Sequence, residues 1–313
     1  MKGRFLTSIV GLTVAVAACT PSPDTGVAEP VSTTTTEAAV VPTTAVTLPP
    51  VEDTETGLVE SVTDGDSLQV NINGQVVEVR LIGINAPEGD ACYGSDARAE
   101  LAALVAGRQV LLAAGEEEFD DNDRLLRYLL LDGSEEDGSE EPVLVNGELV
   151  AAGSAVALQN GHEHEAAFKG LEDRAYASGK GMWATFVCPP PDGGAAPDRP
   201  QLRIGELAYD PPGEDDNDLE NEWIEIVNES YTTVAMDNWT IRDESASNRY
   251  TIPAGTSLNP GGTLRIITGC GSDGDGVRYW CSDSAVWSNG GDTVILQDPL
   301  GNVVARWVYA ADD

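Results

Sequence analysis

The sequence predicts two folded domains, an α+β domain over residues 53–188 and an all-β sandwich over residues 201–313. In the first region, strand-like stretches precede stretches with helical spacing, which is typical of an α+β domain. In the second, short strand-like runs are separated by Gly, Pro and Asn, which is typical of a sandwich. A segment rich in Pro, Gly and Ala, residues 189–200, is the predicted linker between them.

The N-terminus carries an export signal. Lys2 and Arg4 precede the apolar run Phe5–Ala15, which is shorter than the roughly 20 residues that a helix needs to cross a bilayer. The run ends in Val16-Ala17-Ala18-Cys19, which resembles the lipobox of bacterial lipoproteins. The resemblance implies a lipoprotein signal peptide over residues 1–18 and a lipid on Cys19 that anchors the chain to the membrane, outside the cytoplasm. An ordinary signal peptide with an incidental Cys is the alternative.

Residues 19–52 form the next segment, rich in Thr and Pro, with an unbroken Thr run from Thr33 to Thr36. The segment has neither strand nor helix periodicity. We therefore expect an extended tether that holds the folded domains away from the membrane.

The net charge and the number of cysteines further limit the possible functions of the chain. The chain has 53 Asp and Glu against 17 Lys and Arg, a formal net charge of -36, which argues against broad electrostatic capture of a polyanion. Without Cys19, four cysteines remain, and an even number in an exported chain predicts two disulfides rather than free thiols. From their positions in the two domains we expect the pairs Cys92–Cys188 and Cys270–Cys281.

In the first domain, a hairpin is the strongest local prediction, because Asn73-Gly74 separates two alternating runs. If those strands pair, Asp66 and Asn85 lie at the same end of the hairpin. The remaining elements follow from periodicity. The predicted strands are Gly57–Val62, Ser67–Ile72, Gln75–Ile84, Arg108–Ala113 and Leu125–Leu131, and the predicted helices are Ser95–Val105, Val145–Gly153 and Glu165–Gly179.

The second domain shows only strand signals. Its tryptophans Trp223, Trp239 and Trp287 offer either core packing or a stacking surface for a ligand, and core packing is the expectation for most of them. The predicted strands centre on Glu206-Leu207, Glu222–Asn228, Trp239–Ile241, Tyr250–Pro253, Leu264–Ile267, Asp292–Leu296 and Val303–Ala305.

The order of motifs across the first domain resembles the staphylococcal nuclease family. The resemblance implies an OB-fold barrel of five strands with three helices, and calcium-dependent cleavage of DNA and RNA phosphodiesters. The motifs are Asp64-Gly65-Asp66, the run from Arg80 to Glu88, Arg124-Leu125-Leu126, the run from Val145 to Val150, and Gly181-Met182-Trp183.

The resemblance also implies a calcium site. Asp66 would be a direct ligand, with Asp64 in support, and Ala86 would offer its backbone carbonyl. Asn85 stands where the family has a second Asp ligand. Carboxylate, amide and carbonyl oxygens are the ligands that Ca²⁺ prefers.

Three further residues would carry the chemistry on the phosphate. By the resemblance, Glu88 would orient or deprotonate the attacking water. Arg80 and Arg124 would bind the phosphate and stabilise the charge that develops in the transition state. Arg suits that role because its fork matches phosphate oxygens and keeps its charge.

Besides Ser67, which replaces the usual Thr and keeps its hydroxyl, the chain departs from the family in three places. Asn85 removes one negative charge from the metal site, and Asp121-Asn122-Asp123 replaces a basic residue, an aromatic and a Gly. Residues Val156–Gln159 replace the stretch with nucleotide-stacking tyrosines. These departures leave two outcomes, a slow or calcium-demanding nuclease and a lapsed binding module. His162 and His164 are expected to be surface residues without a catalytic role.

The second domain resembles a lamin tail domain, which implies an all-β immunoglobulin-like sandwich without catalysis. The resemblance rests on Glu222–Ile226, Asn238-Trp239, Asn259–Gly262 and Trp287–Asp292. The leading hypothesis is a tethered Ca²⁺-dependent nuclease that degrades DNA or RNA outside the cell. The alternative is a surface protein without catalysis that binds ligands through its barrel and sandwich, with an unknown partner for the sandwich.

Overall fold

The computed structural model describes residues 54–132, 142–190, 199–212, 218–245 and 247–310. The predicted signal peptide and the whole predicted tether, including Cys19, lie outside these residues, as does most of the linker. The described residues all belong to one compact unit. No helix among them is long and apolar enough to span a membrane.

The first half of the chain forms a closed barrel with three helices, which confirms the predicted fold class. Its elements are β1 (Glu55–Val62), β2 (Ser67–Ile72), β3 (Gln75–Leu81), β4 (Ile84–Asn85), α1 (Gly94–Val105), β5 (Gln109–Phe119), β6 (Leu125–Leu131), β7 (Val143–Leu144), α2 (Val145–Ala152), β8 (Val156–Ala157) and α3 (Glu165–Ala177), followed by a 3₁₀ turn at Gly181–Trp183.

Five of these strands close the barrel in the order β3-β2-β1-β5-β6, and parallel pairing of β3 with β6 completes the ring. Alternate residues point inward, so Leu68, Val79 and Leu129 are fully buried. On α1 the buried positions Ala97, Leu101 and Val105 recur at helical spacing and cover one end of the barrel core.

The predicted hairpin forms, and it sets the register of the front of the barrel. Asn73 and Gly74 both have positive φ, 51° and 89°, as a type I′ turn requires. The resulting register places Ser67 opposite Arg80, one residue from Asp66. The predicted return strand Gln75–Ile84 is too long, however, because it ends at Leu81.

The strand ends there because the chain turns at Gly83. Gly83 has φ +74°, a conformation that disfavours side chains, and a Cβ there would lie 2.4 Å from the ring of His162. The turn separates β3 from β4, which pairs with β8 instead. This break carries residues 85–88 away from the barrel wall.

The second half forms the expected immunoglobulin-like set of sheets. Two four-stranded sheets, in the orders β16-β15-β10-β9 and β13-β12-β17-β18, enclose the core, with a small β11-β14 pair beside them. The strands are β9 (Leu202–Ala208), β10 (Trp223–Asn228), β11 (Val234–Ala235), β12 (Thr240–Arg242), β13 (Arg249–Thr251), β14 (Ser257–Leu258), β15 (Thr263–Ile267), β16 (Val277–Tyr279), β17 (Gly291–Gln297) and β18 (Val303–Ala310).

The tryptophans of this half are mainly structural. Trp239 and Trp287 are buried in the core, as expected. Trp223 is half-buried, and the guanidinium carbon of Arg265 lies 3.6 Å from its ring centre in a cation–π contact. No ligand-stacking surface is therefore needed to explain their presence.

The two halves keep separate main cores and share a third, smaller one. Val156, Ala175 and Trp183 from the first half pack with Ile295 and Val303 from the second. This contact explains why every residue of β17 is buried, although alternate residues face opposite sides of the sheet.

Polar contacts and a disulfide reinforce this contact between the two halves, which we call the seam. The Lys169 ammonium donates to the Thr293 hydroxyl at 2.7 Å. The Cys188 N–H donates to Asn302 Oδ1 at 2.8 Å, and Asn302 Nδ2 returns a bond to the Cys188 carbonyl at 3.0 Å. Cys188 is itself bonded to Cys92, as predicted, with Cα atoms 5.8 Å apart. The loop after Glu88 is thereby tied to both halves.

The second predicted disulfide, Cys270–Cys281, is also present. The two bridges close loops of very different length, because their cysteines are separated by 96 and 11 positions. In the chain-entropy model, a bridge stabilises mainly by restricting the unfolded chain, and the effect grows with loop length.

We therefore expect Cys92→Ser with Cys188→Ser to lower the free energy of unfolding by about 5 kcal/mol. The matched control, Cys270→Ser with Cys281→Ser, should lower it by about 3 kcal/mol. Denaturant titration of both variants under non-reducing conditions measures the difference. A larger loss on opening the short loop would contradict this account.

Candidate active site

A buried carboxylate lies at the centre of the candidate site. Asp66 is 0% exposed at the end of the turn that enters β2. The Ser67 hydroxyl donates to its Oδ1 at 3.0 Å, the Ala86 N–H donates to its Oδ2 at 2.6 Å, and Arg80 Nη2 lies 2.9 Å from Oδ2. Burial raises the pKa of Asp66 to about 7, against the opposing effects of Arg80 and the Ala86 N–H.

Two further carboxylates join Asp66. Oxygens of Asp64, Asp66 and Glu88 lie within 4.8 Å of one another. Asp64 also accepts the Asp66 N–H at 3.1 Å, and Glu88 is exposed on the loop after β4. The group offers oxygen ligands alone, which suits a hard cation such as Ca²⁺. A cation there would also favour the ionised form of the buried Asp66.

Arg80 ties this cluster to the turn after β3. Its Nη1 donates to the carbonyls of Leu81 and Ile84 at 3.1 and 3.0 Å, while Nη2 faces both Asp66 and Asn85 Oδ1, the latter at 3.3 Å. The guanidinium therefore neutralises Asp66 and fixes the turn that leads to Glu88.

The Asn85 side chain has two partners in the structure, and neither is a carboxylate of the cluster. Its Oδ1 accepts from Arg80, and its Nδ2 donates at 2.8 Å to the backbone carbonyl of Glu244 in the second half. An Asp side chain would have no N–H for that second bond. The Asn85 amide thus stabilises the contact between the two halves.

Arg124 enters the same site from the start of β6. Its Nη1 donates to the Ser67 hydroxyl at 3.4 Å, and its Nε and Nη2 each lie 2.7 Å from Asp120 Oδ2. The Asp120 carboxylate also accepts the N–H groups of Asn122 and Arg124 across the acidic turn 121–123. In this turn Asp123 has φ 60°, at the position where the family has Gly. Sequence reasoning overlooked Asp120, although its i,i+4 spacing from Arg124 was visible.

A cleft of about 870 Å³ opens beside the two arginines. Tyr128 and His162 line it, with the Tyr128 hydroxyl 3.1 Å from His162 Nδ1. The prediction that both histidines are surface residues is wrong, because His164 is 5% exposed and packs 4.7 Å from the Tyr128 ring centre. Burial lowers the pKa of both imidazoles, which favours their neutral forms.

The second half of the chain forms part of the cleft wall. Ser245 lines the cleft, and the Glu244 carboxylate accepts bonds from the backbone N–H and the side-chain amide of Gln159. Gln159 ends the stretch Val156–Gln159, where the resemblance places nucleotide-stacking tyrosines. In this chain Gln159 contacts the second half instead, and the local sequence does not predict this contact.

Comparisons with known proteins agree with this architecture. A family model described as Staphylococcal nuclease homologue matches residues 78–185, and one described as Lamin Tail Domain matches residues 195–311. Two relatives, Protein ParB from Escherichia coli and Micrococcal nuclease from Shigella flexneri, are each 32% identical over 129 residues, or 41% of this chain. The match covers 72% of the first and 73% of the second. The chain therefore belongs to the staphylococcal nuclease family and carries a lamin tail domain after its nuclease domain.

Proposed function

We propose that the protein is a calcium-dependent phosphodiesterase of the thermonuclease type that hydrolyses DNA or RNA outside the cell. One observation carries the proposal: three carboxylates lie together beside Arg80, and Arg80 and Arg124 line an open cleft. Hydrolysis of a phosphodiester requires a cation, positive charge on the phosphate and a group that positions water. The carboxylates would hold the cation, the arginines would supply the positive charge, and Glu88 would position the water molecule.

Asp64, Asp66 and Glu88 would hold the ion. When bound, Ca²⁺ would act as a Lewis acid on the phosphate oxygen that it contacts. Asp66 is rigid, because its oxygens already accept from Ser67, Ala86 and Arg80. Glu88 is the exposed member, so it is the carboxylate best placed to orient or deprotonate a water molecule at the cluster.

The arginines would act on the substrate phosphate. Asp120 occupies Nε and Nη2 of Arg124, while Nη1 makes only a long 3.4 Å bond to Ser67 and remains available. Arg80 lines the same cleft, although its donors face carbonyls and Asp66. Arg124 is therefore our choice for stabilising charge that develops in the transition state.

The second candidate function is binding without catalysis. The contacts of Asn85 with Glu244 and of Arg124 with Asp120 favour it, because each engages a group that the family resemblance assigns to the reaction. The retained Asp64, Asp66 and Glu88 cluster favours the enzyme. Since those three carboxylates lie close enough together to hold a cation, the enzyme is the stronger proposal.

Digestion of plasmid DNA and of single-stranded RNA tests the proposed function. We expect cleavage with calcium and none with a chelator. Arg124→Ala should lower kcat about 100-fold, because the lost group acts on the transition state. Arg108→Ala is the matched control, an exposed arginine of the same barrel that should cleave at the parental rate. Calcium-independent cleavage, or none at any calcium concentration, would contradict the proposal.

The charge at position 85 gives a second prediction. Asn85→Asp should lower the calcium concentration for half-maximal cleavage, because it adds negative charge next to Arg80 and the cluster. It should also lower the melting temperature without calcium, because the donor to the Glu244 carbonyl is lost. Asn85→Ala should share the second effect only. Equal calcium midpoints for parent and Asn85→Asp would refute the first effect.

We also propose that Cys19 is lipidated and anchors the protein outside the cytoplasm. The support is the basic and apolar N-terminal pattern that ends in Ala17-Ala18-Cys19. The protein should then fractionate with membranes, and mass spectrometry should find a lipid on a mature N-terminal Cys19. Cys19→Ser should release it from the membrane fraction. A mature N-terminus beyond Cys19 would be incompatible with the anchor.

A further inference from the structure

A second cavity, of about 400 Å³, lies at the seam between the nuclease domain and the lamin tail domain. The loop that carries Asn85 and Glu88 forms one side of it, and Arg242 and Arg249 of the lamin tail domain line the other. Glu88 also belongs to the carboxylate cluster, so this cavity adjoins the candidate metal site.

Arg242 is a buried cation whose charge is favoured by the carboxylates of Asp243, Glu172 and Asp292, none of which forms an ion pair with it. The residue is 6% exposed, and its Nη1 donates at 2.8 Å to the backbone carbonyl of Asp243. Its Nε has no hydrogen-bond partner, and no ion pair involves it among the described residues. The nearby Asp243 carboxylate instead accepts bonds from Ser245 and Asn248.

A buried charge normally has a partner, because its removal from water is costly. Burial lowers the pKa of Arg242 to about 10, so the guanidinium keeps its charge at neutral pH. Within the described part of the chain, the structure thus holds a positive charge on the cavity wall without an ion pair. An anionic ligand in the cavity would pair with that charge.

Arg249 adds a second positive charge to the cavity. It is exposed and donates to Gln297 Oε1 at 3.0 Å, and it too has no ion pair among the described residues. Two carboxylates line the cavity as well. Asp298 accepts the N–H groups of Leu300 and Asn302, and Glu88 belongs to the carboxylate cluster, and neither forms an ion pair with Arg242 or Arg249.

We propose that this cavity is a phosphate subsite, in which Arg242 and Arg249 bind a backbone phosphate of a nucleic-acid strand next to the phosphate that is cleaved. The proposal rests on the proposed function and extends it by giving the lamin tail domain a role in substrate binding. Two arginines with open donors suit phosphate oxygens. They also place positive charge beside the site in a chain whose net charge is -36.

Binding of a fluorescent single-stranded oligonucleotide of eight nucleotides, measured by anisotropy with the full chain, tests the subsite. A chelator removes catalysis from the readout, and the measurement is repeated over a range of salt concentrations. We expect Arg249→Gln to weaken binding about fivefold or more and to reduce the slope of log K against log salt by about 0.7, the contribution of one phosphate contact on a single strand. Arg242→Gln should act in the same direction.

Arg203→Gln is the control, because Arg203 is an exposed arginine of the same domain that does not line the cavity. Arg249 is exposed, so its variant should fold even if Arg242→Gln does not. Unchanged affinity and slope in Arg249→Gln would overturn the proposal. Binding of inorganic phosphate that depends on both arginines, without binding of the oligonucleotide, would also overturn it in favour of a free-anion site.

The two proposals can fail separately. A parent protein that binds the oligonucleotide through Arg249 but does not cleave it with calcium would refute the proposed function and leave the subsite standing. A parent that cleaves with calcium, with KM for the oligonucleotide unchanged in Arg249→Gln, would refute the subsite alone.

Discussion

Burial of the Asp66 carboxylate is the constraint on which the rest of the site depends. A charged group inside a protein must be compensated, and here the compensation comes from Ser67, Arg80 and the Ala86 N–H, on three successive segments of the chain. Because Arg80 also binds the carbonyls of Leu81 and Ile84, it fixes the turn that leads to the exposed Glu88. The carboxylate cluster and the docking bond of Asn85 both depend on that turn.

The lamin tail domain packs against the candidate active site rather than forming a separate attachment. Its Glu244 binds Asn85 and Gln159, its Ser245 lines the cleft, and Asn302 binds the chain at Cys188. The absence of stacking aromatics at 156–159 has a physical reason, since Val156 and Gln159 in this stretch contact the second domain. The phosphate subsite that we propose at the seam adds positive charge, through Arg242 and Arg249, beside an acidic nuclease domain.

Local signals predicted much of this structure. The Asn73-Gly74 turn set the hairpin and with it the proximity of Asp66 and Arg80, and both disulfide pairs were expected from cysteine positions. The seam was beyond sequence reasoning, because Asn85 and its partner Glu244 are 159 residues apart and neither shows a local pattern. The burial of His164 was missed for a similar reason, since it depends on packing against Tyr128 of a distant strand.

The position of a bound ion tests the central claim most directly. A crystal structure of the full chain grown with calcium would show it by anomalous scattering. This account predicts a peak among the oxygens of Asp64, Asp66 and Glu88, with Asn85 still bound to the Glu244 carbonyl. A calcium ion bound elsewhere, or none at millimolar concentration, would contradict it.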